Sequence, residues 1–163
     1  MTSTDFIIRE IEPRDNAQLA TVVREVIVEM GAPTTGTAYE DKATDNMFEA
    51  YQEPRTKYFV LIHQDKVVGG GGIAPLQDSD GTICELQKMY FKPIARGKGL
   101  GSEMITRCLA FAKEVGFKTC YLETMPYMKA ARKLYAKNGF TNISGPLGNT
   151  GHYSCDVWMT KSL

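Results

Sequence analysis

The segment Gln87 to Ser102, QKMYFKPIARGKGLGS, constrains this chain more than any other. An apolar run enters Pro93 and then an Arg-Gly-Lys-Gly-Leu-Gly turn, which opens a stretch of helical character near Gly99. Glycines in such a turn let several backbone N–H groups aim at one point. A helix N-terminus behind the turn adds partial positive charge, and Arg96 and Lys98 add full charges. The device suits a phosphate group and imposes a strand–turn–helix order on the middle of the chain. Its spacing departs from two other phosphate-binding loops. Gly97-x-Gly99-x-Gly101 is not Gly-x-Gly-x-x-Gly, and no acidic residue ends a strand about 20 residues later as in a dinucleotide site. Nor does Gly-Lys run directly into Ser or Thr, as a P-loop requires. A glycine turn with a purely structural role is the alternative.

The flanking sequence supplies elements on both sides of this device. Asp5 to Ile11 alternates like a strand. A helix is expected from Pro13, with Leu19, Val22, Val23, Val26 and Met30 at helical spacing and Gly31 and Pro33 as its stop. A short second helix is expected over residues 41–51. Lys57 to His63 and Val67 to Leu76 read as a hairpin, with His63 solvated at its end. Gly69 to Gly72 weaken the return strand and allow another backbone or a ligand to approach. Then come a strand over Thr82 to Phe91, a long helix over Gly99 to Val115, and a strand over Lys118 to Thr124. A helix over Met128 to Asn138, a short strand over Phe140 to Ile143 and a final strand from His152 to Thr160 complete the order. That order, β-α-α-β-β-β-α-β-α-β-β, is α/β with helices on both faces of a sheet.

At 163 residues, 43% hydrophobic and 23% charged, the chain reads as a single domain over 1–163 with an ordinary core. A net charge of +0 and a pI near 6.7 argue against nucleic acid or an anionic membrane as partner. No apolar run approaches the roughly 18 residues of a membrane span. The N-terminal MTSTDFIIRE lacks the basic and apolar regions of a signal peptide, so a cytoplasmic location is expected. Cys84, Cys108, Cys120 and Cys155 are not in Cys-x-x-Cys or any other metal-ligand spacing, and each lies in an apolar run. They read as buried, reduced thiols, and no metal is expected.

Two motifs in this order carry a resemblance. One is Arg96-Gly97-Lys98-Gly99-Leu100-Gly101. The other is Ala130-Ala131-Arg132-Lys133-Leu134-Tyr135-Ala136-Lys137-Asn138-Gly139-Phe140. Together, over about Cys84 to Phe140, they resemble the GNAT superfamily of N-acetyltransferases. The resemblance implies a GNAT-like fold: a central mixed, mostly antiparallel sheet of about seven strands flanked by about four helices. It also implies acetyl-CoA as cosubstrate. The pyrophosphate would sit on the nest from Arg96 through Gly97, Lys98, Gly99, Leu100 and Gly101 to Ser102, with Ala131 nearby. The pantetheine amides would need backbone partners at a splayed or bulged edge, where Met89, Tyr90 and Phe91 lie. One departure is plain: the family helix often carries an asparagine near its start, and Thr124 to Met128 contains none.

Acetyl transfer needs a neutral amine, a donor for the oxyanion and a proton for the leaving thiolate. By the resemblance, Tyr135 sits at the Leu-Tyr position beside the thioester sulfur and is the candidate acid; otherwise it is a core aromatic. Glu85, a carboxylate in an apolar strand, is the candidate base, or else an ion-paired strand residue. His152 and Tyr153 follow the Gly145 to Gly151 loop, which borders the acceptor pocket in GNAT folds, and are candidate acceptor contacts or a hydrogen-bonded strand end. Glu29, Glu40 and Asp41 flank the Gly31 to Tyr39 loop, which resembles the family's lid, where a carboxylate would attract a cationic amine or simply cap helices. The expected activity is direct transfer to a primary amine of a small molecule, such as an amino acid, polyamine or amine-bearing toxin. A protein acceptor comes second, and a CoA-binding sensor without catalysis is the alternative of another class. Direct transfer is expected because Cys84, Cys108 and Cys120 are too buried to carry an acyl group. A homodimer through the last strands is also expected from the resemblance.

Overall fold

The computed structural model describes residues 5–163. Its elements are β1 (Phe6–Glu10), α1 (Asn16–Glu29), α2 (Met47–Ala50), β2 (Lys57–His63), β3 (Lys66–Pro75), β4 (Ile83–Phe91), α3 (Leu100–Glu114), β5 (Thr119–Thr124), α4 (Lys129–Lys137), β6 (Thr141–Ile143) and β7 (Val157–Ser162). The seven strands lie in the order β1-β2-β3-β4-β5-β7-β6. All neighbours are antiparallel except β4 and β5, which α3 connects. A parallel pair needs a long crossover, and α3 is that crossover. One core contains Met104, Ile105, Cys108 and Ala112 of α3 together with Leu61, Ile73 and Leu86. The other contains Leu19, Val23 and Ile27 of α1 together with Met47, Tyr58 and Val60.

The glycines of β3 explain the shape of β4. Tyr58 of β2 pairs with Gly72, and its ring lies across β3. A Cβ on Gly70 would stand 2.6 Å from the Tyr58 ring, and one on Gly72 2.5 Å from it. Glycine is required because a neighbouring aromatic ring, not a ligand, occupies the space. The ring's reach lets the Tyr58 hydroxyl donate to the Lys88 carbonyl at 2.7 Å. There β4 bulges: Gly70 pairs with Tyr90 and Gly72 with Gln87, so Lys88 and Met89 together oppose Gly71. Lys88 has φ +47°, left-handed backbone that costs a non-glycine residue about 1 kcal/mol or more. On the other side of β4, the strands part after Glu85, just ahead of the bulge. β4 pairs with β5 only through Ile83, Cys84 and Glu85, so the β5-facing flank of Leu86 to Phe91 has no strand partner.

Four expectations change. The second helix shrinks to a 3-10 turn over Lys42–Asp45 and the single helical turn of α2. The final strand begins at Val157, not His152, because residues 152–155 form a turn closed by Cys155 N–H to His152 carbonyl at 3.1 Å. His63 is buried, stacked on Phe6 with ring centroids 4.2 Å apart, and is not solvated. Cys84, Cys108 and Cys120 are buried as expected, but Cys155 is only partly so.

Candidate active site

A cavity of about 740 Å³ follows the parting of β4 and β5, within the size range of small-molecule sites. One end is built from backbone. Gly97 and Gly99 have φ of +72° and +77°, which turns the chain into α3. Gly99 caps the helix, so the N–H groups of Leu100, Gly101 and Ser102 have no partner within it. Gly101 also sets the spacing of two helices, since a Cβ there would lie 2.7 Å from Leu134 of α4. The Asn138 amide bridges the same helices, donating to Ser102 Oγ at 3.1 Å and to the Leu134 carbonyl at 2.8 Å.

Arg96 braces this end. Its guanidinium holds Glu29 through two bonds of 2.7 Å and the Phe91 carbonyl through bonds of 3.0 and 2.8 Å. The Arg96 hydrogen bond holds the Glu29 carboxyl below its usual range. Lys98 extends over the Phe6 ring, 6.0 Å from its centroid.

At the middle of the cavity stand the two residues expected to carry chemistry. Tyr135 is buried, with Phe140 edge-on at 6.1 Å, and its hydroxyl has no hydrogen-bond partner among the described residues. Burial, with a smaller effect from Cys155, pushes its pKa up to about 12, so it carries its proton at neutral pH. Glu85 is 6% exposed at the last paired position before the strands part. Its carboxylate accepts from Gln87 Nε2 at 2.6 Å, and Gln87 Oε1 accepts from the Tyr51 hydroxyl at 2.5 Å. Burial raises the Glu85 pKa to about 7; the Gln87 bond opposes the rise and the Glu123 charge adds to it. A carboxyl that titrates near neutrality is poised for proton transfer.

The other end is built from side chains on distant segments. The loop after α1 meets the loop before β7: Ser154 N–H donates to the Gly36 carbonyl at 3.2 Å and Ser154 Oγ to the Thr35 carbonyl at 2.9 Å. Beneath this clasp, His152 Nε2 lies 2.7 Å from Asp41 Oδ2, and Lys88 Nζ lies 3.2 Å from the same oxygen. Burial lowers the His152 pKa, but the Asp41 bond and charge outweigh it and the net shift is upward. Burial works against the Asp41 charge too, and His152 with Lys88 reverses it, leaving that pKa lowered. Glu123 of β5 accepts from Tyr121 at 2.6 Å and from Thr150 at 2.5 Å.

Most of the expected residues meet in this cavity: Glu85, Met89, Tyr90, Phe91, Arg96, Gly97, Gly99, Leu100, Gly101, Ser102, Ala131, Tyr135 and His152 all line it. Lys98, Glu29, Glu40 and Tyr153 do not. Glu29 is taken by Arg96, Glu40 accepts from Gly36 N–H at 2.6 Å, and Tyr153 is 75% exposed. Glu29 and Glu40 therefore organise loops instead of facing an amine. Among the lining residues that the sequence reading did not assign to the site are Lys88, Glu123 and Cys155. Glu123 satisfied the test applied to Glu85, a carboxylate in an apolar strand. His152-x-x-Cys155 was a legible metal-type spacing, and the ligand atoms of Glu123, His152 and Cys155 lie within 4.8 Å of one another. No helix among the described residues is long and apolar enough to cross a membrane.

Comparison with known proteins agrees with this geometry. The Acetyltransferase (GNAT) family pattern matches residues 24–140. An uncharacterized N-acetyltransferase of Escherichia coli (strain K12), YjgM, is 43% identical over 158 residues, 96% of this chain and 95% of its own. An IAA acetyltransferase of Azospirillum brasilense is 32% identical, covering 68% of this chain and 71% of its own. The structure of yncA, a putative acetyltransferase from Salmonella typhimurium with its cofactor acetyl-CoA, superposes with a TM-score of 0.77 at 20% identity, covering 97% of this chain and 94% of that one. The fold, the strand parting and the family match lead to one conclusion: this chain belongs to the GNAT family of acetyltransferases.

Proposed function

We propose that this protein transfers the acetyl group of acetyl-CoA directly to a primary amine of a small molecule. The observation that carries the reading is the pairing of Glu85, with a pKa of about 7, and a neutral Tyr135 in one cavity. The free N–H groups of Leu100, Gly101 and Ser102 suit the pyrophosphate, and the unpaired flank of β4 suits the pantetheine amides. The thioester would then lie between Tyr135 and the end of β4.

An acceptor amine of pKa near 10 arrives mostly protonated. Glu85, ionised above about pH 7, accepts that proton directly or through water. The nitrogen attacks the thioester carbonyl and forms the C–N bond; the tetrahedral oxyanion collapses, the C–S bond breaks, and the nitrogen's remaining extra proton passes to solvent. Tyr135 supplies the proton that the departing thiolate takes. Cys155 does not serve as an acyl carrier on this reading, because burial and the Glu123 charge push its thiol up to about 12. Enclosure of the acceptor end by the clasp of residues 35–36 with 154 supports a small molecule over a protein tail.

The test is CoA-thiol release from acetyl-CoA across amino acids, polyamines and amine-bearing antibiotics, with Tyr135→Phe alongside. Turnover with one class, lost in the variant and with intersecting initial-rate plots, is the expected result. Parallel plots would show an acetyl-enzyme and overturn direct transfer. Silence across the panel with acetyl-CoA still bound would favour a protein acceptor or a CoA sensor.

A further inference from the structure

We propose that Glu123, His152 and Cys155 form a binding site for a zinc-class divalent metal ion at the acceptor end of the cavity. Their ligand atoms all lie within 4.8 Å of one another. Two of them come from a single turn, fixed by the 3.1 Å bond from Cys155 N–H to the His152 carbonyl. The third comes from β5, so the site joins the loop before β7 to the sheet.

The donor set selects the metal. One sulfur, one nitrogen and one oxygen suit borderline-soft zinc, whereas magnesium and calcium take oxygen ligands. Three protein ligands leave a fourth tetrahedral position open, and all three residues line the cavity. The surrounding shell is in place. Asp41 at 2.7 Å engages His152 Nε2 and fixes the ring; Lys88 at 3.2 Å holds Asp41 in turn. Tyr121 and Thr150 each donate to one Glu123 oxygen, at 2.6 and 2.5 Å, and orient the carboxylate. Metal bonds of about 2.0–2.3 Å require the donors to draw in by roughly 1 Å. On binding, the Cys155 thiol releases its proton to solvent and sulfur bonds the metal. Cys84, Cys108 and Cys120 are buried and do not compete. A metal seated there ties up His152, Glu123 and Cys155 on the wall of the acceptor end, so zinc competes with the amine for that end and leaves the pyrophosphate end open. That consequence rests on the acetyl-transfer reading; the binding does not.

The experiment is titration of the reduced, metal-free full chain with cobalt(II) as a spectroscopic probe for zinc. We expect one cobalt per chain, a near-ultraviolet thiolate-to-cobalt band, and displacement by zinc. Cys155→Ser should abolish the band, and His152→Gln and Glu123→Gln should each weaken binding by at least about 10-fold. Asp41→Asn, which removes no ligand, should weaken it roughly 10- to 100-fold. Far-ultraviolet circular dichroism checks that each variant is folded. The site is refuted by absence of the band in the wild-type chain. It is equally refuted by persistence of the band in Cys155→Ser, or by wild-type affinity in both other ligand variants. None of these readouts uses turnover, so failure of the acetyl-transfer reading is seen separately.

Discussion

The two ends of one cavity are built from different materials. The α3 end is contiguous backbone: a turn with two left-handed glycines and three unpaired N–H groups. The acceptor end is assembled from the loop after α1, the β4 bulge, β5 and the loop before β7, meeting mainly through side chains. A ligand common to a family can be read by backbone, which every sequence supplies. Discrimination among amines requires side chains, and these can change without disturbing the sheet. The difference teaches that the first end should govern cosubstrate affinity and the second the chemistry and choice of acceptor.

Substitutions test that division. Tyr135→Phe should have the largest effect, a fall in kcat of about 10²–10⁴-fold with acetyl-CoA affinity unchanged, measured by turnover and calorimetry. A loss of affinity instead would make Tyr135 a packing residue. Glu85→Gln should cost roughly 10–100-fold at pH 7 and remove the rise of rate through pH 7; a deficit constant with pH would remove Glu85 as base.

The same variant carries a stability signature. The folded Glu85 pKa lies near 7 and the unfolded value near 4.5, so the folded state holds this proton more tightly. Stability from that proton is complete below pH 4.5 and declines as pH rises to about 7. At pH 8, Glu85→Gln should therefore raise stability by up to about 3 kcal/mol, read by denaturant unfolding. At the α3 end, a Cβ on Gly99 meets no atom within 4 Å, but Gly99→Val must adopt φ +77°. It should raise the KM for acetyl-CoA about 10-fold and leave kcat at saturation nearly intact, through a strain of about 1–2 kcal/mol. An equal fall in kcat would erase the division between the ends. Smallest, Tyr58→Phe should cost about 1 kcal/mol by removing the donor to the Lys88 carbonyl.

The element order was legible because periodicity and glycine punctuation are local signals, as around Gly31 and Gly99. Arg96 to Ser102 was legible for the same reason, being one contiguous segment. Glu85 and Tyr135 were legible as a carboxylate out of place and as a position in a motif. The Asp41–His152 contact was not, since 111 residues separate its partners and no local pattern links them. The start of β7 was missed because a turn from His152 to Cys155 resembles the alternation of a strand. The role of Gly69 to Gly72 was half legible: close approach was foreseen, but that Tyr58 makes it at Gly70 and Gly72 depends on cross-strand register.

The parted strands have a bearing on the life of the protein between turnovers. Leu86 to Phe91 presents an unpaired flank inside the sheet, the kind of surface on which a second chain can nucleate. On the proposed acetyl-transfer reading, the cosubstrate lies along that flank, shields it and, by mass action, adds stability that grows with its concentration. Chains starved of cosubstrate should therefore clump on storage and be cleared sooner by proteolysis, so that supply of the donor sets how much of the protein persists.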